Sequence, residues 1–306
     1  VLRWHAGQVE EERYFLPSGG QPQYTTMQEG ADAVWSALQQ SVSDRLMSDV
    51  PLGVFLSGGV DSAAVVAAMS EIIGGQNIRT FSIGFDDPGF DESGAALQIA
   101  NSFGTQHHVK KLSSESIAKA LPDIMATLDE PFADASYVPT YLLSQFAAQE
   151  VKVVLSGDGG DELFLGYPTF YAERQVPKAR LMPRIAREKV LLPLISAFSK
   201  SNVYMPAEFK WRRFLRGLEL DARRRHVSWI GGIDARDHQA LLRGDFALGN
   251  RDIFGLLDDE SELYTGLNPV ADELDILAHQ YFRTYLAEGV LQKVDRASMA
   301  HSLEVR

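Results

Sequence analysis

The amino-acid sequence predicts an α/β fold: a parallel sheet with helices on both faces, joined to a mainly helical lobe. Two observations support this prediction. Between residues 31 and 155, short apolar runs alternate with longer amphipathic segments. This alternation is typical of β-α-β units, because parallel neighbouring strands need a long crossover connection. Residues 172–288 contain few strand-like runs and several prolines, which indicates the helical lobe.

The individual elements follow in chain order. Residues 1–29 mix aromatic side chains with turn-forming residues, which predicts an entry hairpin or linker. Apolar residues recur at helical spacing from Val34 to Leu46, which predicts a helix over Ala31–Ser48. Periodicity and apolar content predict the remaining elements of this half: strands at Val50–Leu56, Ile78–Phe85, His107–Leu112 and Val151–Leu155, and helices at Ala63–Ile73, Glu92–Phe103, Glu115–Leu128 and Val138–Gln149.

A lysine lies on an apolar stripe near the end of the chain. If residues 282–301 form one helix, Lys293 shares a face with four apolar side chains between Phe282 and Ala297. Burying an unpaired ammonium is costly, so this lysine is a functional candidate. The alternatives are that it extends to solvent, or that Gly289 interrupts the helix.

Composition restricts the class of protein. The 306 residues, 45% of them hydrophobic, can bury a core in one large domain or two modest ones. The net charge of −12 argues against a nucleic-acid or anionic-membrane partner. The absence of cysteine excludes a disulfide scaffold and a cysteine nucleophile within this chain. The longest apolar stretches are too short for a membrane helix and the first residues lack a signal pattern. We therefore expect a soluble, cytoplasmic protein.

The string Ser57–Ser62 (SGGVDS) lies between a predicted strand and a predicted helix. Its glycines allow the backbone to approach a ligand closely, and the helix N-terminus offers free N–H groups to an anion. Ser57 and Ser62 would add hydroxyl donors, and Asp61 an oxygen ligand for Mg²⁺. The sequence lacks the motifs of the Walker loop and of the dinucleotide fold. The string therefore predicts a phosphate-binding loop, with a simple tight turn as the alternative.

A second glycine-rich loop, Ser156–Glu162 (SGDGGDE), follows another predicted strand and carries three carboxylates. Clustered negative charge is costly unless a cation is bound there, and open parallel sheets bind ligands at the carboxyl edge. Asp61 and Asp161 could therefore share one Mg²⁺ that is also bound to phosphates. Helix capping by Asp161 and Glu162 is the alternative.

Three further features favour structural explanations. His107-His108 has no third ligand at metal-site spacing, which favours an edge strand. The acidic run 86–92 fits helix capping and first-turn charge. The basic clusters at 178–189 and 210–225 contain interleaved apolar residues, which favours amphipathic helices with solvated faces over an RNA-binding surface.

Ser57–Ser62 resembles the pyrophosphate loop (PP-loop) of ATP pyrophosphatases, which cleave ATP to AMP and pyrophosphate. Taken with further strings, the two loops are similar to the synthetase domain of the glutamine-hydrolysing asparagine synthetases over about residues 30–170 and 280–306. The strings are FSIGF at 81–85, Asp91-Glu92, GTQHH at 104–108 and VDRASM at 294–299.

The resemblance implies a domain organisation. Residues 1–29 would be the entry hairpin or linker from a missing N-terminal glutaminase domain. Residues 30–306 would be the ATP-dependent synthetase domain, of the adenine nucleotide alpha hydrolase-like fold, with the helical lobe at about 172–288 and its C-terminal part truncated. Such a piece could use only ammonia. The oligomeric state stays open, with a homodimer as one option.

The resemblance also implies site residues, ATP and Mg²⁺ as cofactors, and aspartate (or another carboxylate) and ammonia as substrates. ATP and its pyrophosphate would be held by Leu56, Ser57, Gly58, Gly59, Asp61 and Ser62, with Ile83 against the adenine and Ser156 and Gly157 contacting the nucleotide by backbone groups. Asp61 and Asp161 match the Mg²⁺ ligands, Asp158 the candidate base for the attacking amine, and Lys293 the lysine that stabilises charge during adenylation.

The expected reaction forms β-aspartyl-AMP, which ammonia converts to asparagine and AMP. The segment Phe132–Pro139 departs from the pattern of the prokaryotic enzymes, because it lacks the arginine that those enzymes carry there. A related amidotransferase or cyclase acting on a peptidoglycan precursor, glycan or peptide is therefore an alternative. An RNA-thiolating pyrophosphatase is disfavoured by the net charge of −12 and the lack of cysteine. A non-catalytic nucleotide-sensing domain is a further alternative.

Overall fold

The secondary structure is taken from a computed structural model, which describes residues 1–12, 15, 24–191, 193–195, 207–231, 241–243 and 254–306. Its strands are β1 (Leu2–His5), β2 (Gln8–Glu11), β3 (Leu52–Phe55), β4 (Arg79–Phe85), β5 (Gln106–Leu112), β6 (Val153–Leu155) and β7 (Glu304–Val305). Its helices up to the second loop are α1 (Met27–Arg45), α2 (Val60–Ile73), a 3₁₀ turn (Gly75–Asn77), α3 (Ser93–Phe103), α4 (Ser114–Ala126) and α5 (Tyr137–Ala147).

In the described residues after the second loop and before β7, the structure is mainly helical, as predicted. Its elements are α6 (Gly160–Phe164), α7 (Pro168–Glu173), α8 (Val176–Arg180), α9 (Arg184–Ala186), a π-helical turn (Arg187–Leu191), α10 (Ala207–Gly217), α11 (Ala222–Ile230), α12 (Gly255–Leu267), α13 (Glu273–Gln280), a π-helical segment (Tyr281–Val290) and α14 (Leu291–Met299).

A parallel sheet of five strands, in the order β5-β4-β3-β6-β7, confirms the predicted fold class. The chain starts this sheet at β3, adds β4 and β5 on one side, and then returns to add β6 on the other side. The strand order therefore reverses between β3 and β6. In open sheets of this kind, the crevice beyond the carboxyl ends of the two strands at the reversal is where ligands bind.

Both faces of the sheet are covered, because successive residues of a strand point to opposite sides. Val54 is packed with α1, α2 and α3, whereas its neighbour Phe55 is packed with the end of α5. Strand β6 alternates in the same way, with Leu155 in the first cluster and Val154 in the second. The near-continuous apolar character of these strands follows from this double burial.

The predicted elements of the first half are all present, with ends shifted by a few residues. The largest functional shift is at α2, which begins at Val60 rather than Ala63 because Gly59 adopts an extended conformation and starts the helix. Asp61 and Ser62 therefore lie in the first helical turn. A hairpin does occur in the entry segment, but it turns at Ala6-Gly7, both with positive φ, a combination that suits tight hairpin turns.

The stretch predicted as one helix over 282–301 is helical to Met299. Gly289 does not interrupt it, since the chain passes through that position in the π-helical segment Tyr281–Val290. The wider turn of a π-helix changes which side chains share a face. Periodicity calculated for an α-helix could not predict this.

The structural explanations for the minor features are confirmed in part. Strand β5, which carries His107-His108, is an edge of the sheet, and Asp91 accepts a hydrogen bond from the Ser93 amide at the start of α3. The basic clusters do form helices, but their arginines are not all on solvated faces. Arg225 is buried against Glu173, and Arg187 is buried beside Glu219. Acidic partners in the fold make this burial possible.

Among the described residues, no helix combines the length and apolar character needed to cross a bilayer.

Candidate active site

The two glycine-rich loops lie next to each other where the strand order reverses, one after β3 and one after β6. They line a cavity of about 510 Å³, a volume within the range of small-molecule sites. Most of the predicted site residues line this cavity: Leu56, Ser57, Gly59, Asp61, Ser62, Ile83, Ser156, Gly157, Asp158 and Asp161. We call it the switch-point cavity. Gly58 and Lys293 are not among its lining residues.

The first loop is closed by its own serines. The hydroxyls of Ser57 and Ser62 lie 2.9 Å apart, and the Ser57 amide donates to Ser62 Oγ at 3.1 Å. The amide of Gly59 donates to Ser57 Oγ at 3.1 Å. These hydroxyls were predicted as donors to a ligand, and in the structure they also shape the loop. The loop leads into α2, whose first turn offers backbone N–H groups toward the cavity side of the loop.

Glycines allow the two loops to touch. A Cβ on Gly157 would lie 2.6 Å from the Ser62 amide nitrogen, and a Cβ on Gly160 would lie 2.5 Å from the Asp61 carboxyl carbon. Real side chains do not come so close, so neither position accepts a larger residue without movement of the loops. Gly58 packs on the other side, because its Cβ would lie 2.8 Å from the Ala95 side chain on α3.

Asp61 and Asp161 face each other across this junction. Burial raises the pKa of the Asp61 carboxyl, and the negative charge of Asp161 raises it further. Two close carboxylates without a cation disfavour each other's charged form, and a bound cation would reverse this effect. A cation bound between them would relieve this repulsion.

Asp161 is held by the turn that ends α6. The Gly166 amide donates to the Asp161 carbonyl oxygen at 2.9 Å, and a Cβ on Gly166 would overlap the Asp161 carboxylate. Leu165, which precedes Gly166, has a φ of 58°. This is a left-handed conformation that non-glycine residues rarely adopt. The strained Leu165 and the small Gly166 together leave room for the Asp161 side chain.

The residues fit Mg²⁺ only in combination with a ligand. Within the described ranges, no cluster of three or more His, Cys, Asp or Glu side chains forms a metal cage. Mg²⁺ typically binds one or two protein carboxylates, with substrate phosphates and water supplying the remaining oxygens. The pair Asp61 and Asp161 beside a helix N-terminus suits that mode.

Sequence reasoning missed one feature of the second loop. Glu162 is 1% exposed, and it does not cap a helix as the alternative proposed; its Oε1 accepts a hydrogen bond from the Tyr167 hydroxyl at 2.6 Å. Burial, together with Glu162, raises the pKa of the Tyr167 phenol. Both side chains line the switch-point cavity. Their spacing of five residues is no standard motif, and the chain between them passes through Leu165 with a positive φ, so sequence periodicity gave no signal for this contact.

The cavity lining also includes apolar side chains from β4 and from the segment after it. These are Ile83, Phe85 and Phe90, which provide flat surfaces suited to an aromatic base. Leu56 borders the cavity but is 2% exposed and belongs to the core. The buried Ser82 hydroxyl donates to the Leu56 carbonyl oxygen, which fixes the end of β3.

Asp158 lies at the tip of the second loop, exposed and lining the cavity. The loop is held at its start by the Ser156 amide, which donates to the Arg306 carbonyl oxygen at 3.0 Å, and the Asp158 amide lies 3.4 Å from Ser156 Oγ. Asp158 is thus placed where it can reach a ligand in the cavity without being buried.

Lys293 does not extend to solvent, so that alternative is wrong. Its side chain is 11% exposed, and its Nζ lies 3.7 Å from Asp134 Oδ2 and donates to Ser136 Oγ at 3.0 Å. Val290 and Val294, its neighbours on the same helical stretch, line the switch-point cavity. The ammonium therefore lies next to the start of α5, on a helical stretch that contributes side chains to the cavity lining.

Comparison with known proteins identifies relatives along most of the chain. The family model "Asparagine synthase" matches residues 33–306. A putative glutamine-hydrolysing asparagine synthetase from Mycobacterium tuberculosis is 31% identical over 96% of this chain and 43% of its own length. Asparagine synthetase 1 from Bacillus subtilis is 29% identical over 98% of this chain and 45% of its length.

A relative of another name matches a shorter part of the sequence. The amidase chyE from Penicillium rubens is 32% identical over 48% of this chain and 24% of its own length. The chain thus spans less than half the length of the curated relatives with which it aligns along most of its residues.

Proposed function

This chain belongs to the asparagine synthase family, and from that premise we propose that it binds ATP in the switch-point cavity and uses it to adenylate a carboxylate substrate. The carboxylate oxygen attacks the α-phosphorus, the bond between the α- and β-phosphates breaks, and pyrophosphate leaves with the electron pair. Ammonia then attacks the acyl carbon, and AMP departs as the amide forms with loss of one proton.

The observation that carries this proposal is the contact between the loops after β3 and β6, which brings Asp61 and Asp161 together beside the N-terminus of α2. Backbone N–H groups at a helix start bind anionic phosphate. Gly157 and Gly160 have no side chain, so the backbone of the two loops stays accessible to a ligand. A loop of this kind supports binding of a polyphosphate, and the apolar pocket around Ile83 supports binding of the adenine.

Asp61 and Asp161 are the residues that would hold Mg²⁺. When bound there, the cation would neutralise negative charge on the phosphates of ATP. In the ligand-free chain the pKa of Asp61 is raised, and a cation bound beside it would favour the charged carboxylate. These two residues would thus orient the triphosphate relative to the rest of the site.

Asp158 and Lys293 would act on the acceptor side of the reaction. Asp158 would take the proton that ammonia loses as it attacks, because the carboxylate is exposed to the cavity. Lys293 would stabilise the negative charge that develops on the α-phosphate during adenylation. Val290 and Val294, on the same helical stretch as Lys293, line the cavity.

We take aspartate as the first candidate for the carboxylate, by the names of the relatives. A second candidate is a different carboxylate, and three observations favour it. The segment Phe132–Pro139 contains no arginine or lysine to bind an α-carboxylate, and its Asp134 faces Lys293. A relative is also named an amidase rather than an asparagine synthetase.

The test is an acceptor panel. The protein is incubated with Mg·ATP, ammonia and one carboxylate at a time: aspartate, glutamate, or a glutamate- or diaminopimelate-containing peptide. The products are identified by mass spectrometry. The proposal predicts AMP and an amide in equal amounts with one acceptor. Acceptor-dependent ADP in place of AMP would refute it, and amide formation on a peptide but not on aspartate would select the second candidate.

A further inference from the structure

The position of Lys293 raises a structural question. Its side chain is nearly buried, yet it carries a charge and lies on a helical stretch whose apolar residues line the switch-point cavity. A flexible lysine in such a place has several rotamers open to it, including ones that carry the ammonium away from the cavity. A specific contact is therefore needed to keep Nζ in one position.

The contact comes from the segment before α5. Ser136 Oγ accepts a hydrogen bond from Lys293 Nζ at 3.0 Å and itself donates to Asp134 Oδ1 at 2.7 Å. The other oxygen of the same carboxylate, Oδ2, lies 3.7 Å from Nζ. The Ser136 hydroxyl is thus oriented by Asp134, with its lone pair toward the ammonium. Charge-assisted contacts of this kind are stronger and better defined than neutral ones.

The same segment is attached to the helix at a second point. Arg296, three residues after Lys293, lies 2.7 Å from Asp129 Oδ1 and 3.1 Å from Glu130 Oε1. Both pairs join α14 to the segment 129–136, but only Asp134 faces Lys293. Asp129 is 80% exposed, so it provides a matched position at which the same charge can be removed without affecting Lys293.

We propose that Asp134 is a positioning residue for Lys293: acting through Ser136, it holds the ammonium in one position at the start of α5, beside the helical stretch whose Val290 and Val294 line the switch-point cavity. The proposal rests on the proposed function in so far as Lys293 is taken to stabilise charge during adenylation. Asp134 would thus have a role in the segment Phe132–Pro139, which contains no arginine or lysine.

A purely structural role for Asp134 is the competing explanation. Asp134 Oδ1 also accepts a hydrogen bond from the Ser136 amide at 2.8 Å, which supports the start of α5. The substitution Asp134→Asn separates the two roles. The asparagine side-chain oxygen can still accept from Ser136, so the start of α5 is kept, whereas the negative charge facing Lys293 is lost.

The activity test compares Asp134→Asn with Asp129→Asn in pyrophosphate exchange. Asp134→Asn should lower kcat by about tenfold or more, the effect of one lost charge-assisted contact, and should leave KM for ATP within about twofold, because ATP binding rests on the loops. Asp129→Asn should leave both parameters near wild type. Equal kcat in the two variants, or a loss confined to KM, would overturn the proposal.

A second measurement does not depend on catalysis. Amine acylation followed by mass spectrometry reports how accessible each lysine is, with the exposed Lys119 as internal reference. Relative to Lys119, acylation of Lys293 should rise several-fold in Asp134→Asn and stay unchanged in Asp129→Asn. Unchanged acylation in both variants would contradict the positioning role even if activity fell.

The two measurements distinguish failure of this inference from failure of the proposed function. If wild type shows no exchange with any acceptor, the proposed function fails, while acylation still decides whether Asp134 holds Lys293. If Asp134→Asn does not fold, Ser136→Ala replaces it, since the alanine removes the hydroxyl that contacts Nζ and keeps the backbone amide. Ser136→Ala must then show the same lowered kcat and raised acylation, and wild-type values would reject the proposal.

Discussion

Burial raises the pKa of Asp61, and the carboxylate of Asp161 on the neighbouring loop raises it further, at the point where the strand order of the sheet reverses. The two residues are far apart in sequence, and the contact depends on Gly160, which packs directly against the Asp61 carboxyl group. A repulsive pair maintained in this way is unfavourable for the ligand-free fold. Under the proposed function, a cation bound here would remove this repulsion.

This repulsion predicts a pH-dependent gain in stability for Asp61→Asn. The Asp61 pKa is higher in the folded than in the unfolded chain, so the residue lowers stability as pH rises through its folded pKa. Without ligand, Asp61→Asn should therefore melt at a higher temperature than wild type near pH 7. The difference should shrink as the pH falls toward and below 3.8, the ordinary value for Asp.

Thermal denaturation between pH 3 and pH 8 measures this, with the exposed Asp49→Asn as control for a general change in charge. A lower melting temperature for Asp61→Asn at neutral pH would show that the carboxylate is stabilised by its surroundings rather than opposed by Asp161.

Gly166→Ala tests how Asp161 is held. The new methyl group would overlap the Asp161 carboxylate, so the side chain or the turn must shift, at a cost of about 1–3 kcal/mol in unfolding free energy. Affinity for Mg²⁺ with α,β-methylene-ATP, measured by calorimetry, should fall about tenfold or more, because the carboxylate is displaced. The control is Gly94→Ala in α3, where a Cβ meets nothing within 4 Å. Equal affinity in the two variants would mean that Asp161 is not positioned by this turn.

Tyr167→Phe tests the buried pair in the second loop. Removing the hydroxyl leaves the Glu162 carboxylate, 1% exposed, without its donor. A buried group that loses its partner costs about 1–3 kcal/mol. Urea unfolding should show this loss for Tyr167→Phe, whereas Tyr171→Phe, at a position 71% exposed, should be near neutral. A change within about 0.5 kcal/mol for Tyr167→Phe would mean that Glu162 is satisfied in another way.

Lys293→Ala should slow adenylation by about 10²–10³-fold, because a charge that stabilises a transition state in a water-poor site contributes a rate factor of about this size. ATP affinity should stay nearly unchanged, because ground-state binding rests on the loops. Lys293→Arg should restore little, since a planar guanidinium does not replace a point charge held by Ser136. The pyrophosphate-exchange rate at saturating ATP measures this, with Lys119→Ala as control. A rate for Lys293→Ala within about twofold of wild type would remove Lys293 from the mechanism.

The sequence was sufficient for the parts of the site that are local in the chain. Ser57–Ser62 and Ser156–Glu162 each follow a strand and precede a helix, so their place at the carboxyl edge follows from the pattern of a parallel sheet. That the two loops lie next to each other was harder to predict, because it depends on the reversal of strand order between β3 and β6.

Contacts between distant side chains could not be predicted in this way. The partners of Lys293 lie in the segment before α5, and no periodicity relates the two. The burial of Arg225 against Glu173 is similar, because a basic cluster in the sequence does not reveal which of its members has an internal acidic partner. The π-helical segment Tyr281–Val290 also has no signal in α-helical periodicity.

The most direct test of the central claim is whether these loops cleave ATP between the α- and β-phosphates. Incorporation of ³²P-labelled pyrophosphate into ATP is measured with the preferred acceptor and without ammonia, in wild type and in Asp161→Asn. We predict acceptor-dependent exchange in wild type, and in Asp161→Asn a loss of about 1–3 kcal/mol in binding of Mg·ATP, the loss expected for one of two charged ligands. Absence of exchange in wild type, with ADP accumulating in an acceptor-dependent manner, would contradict the account.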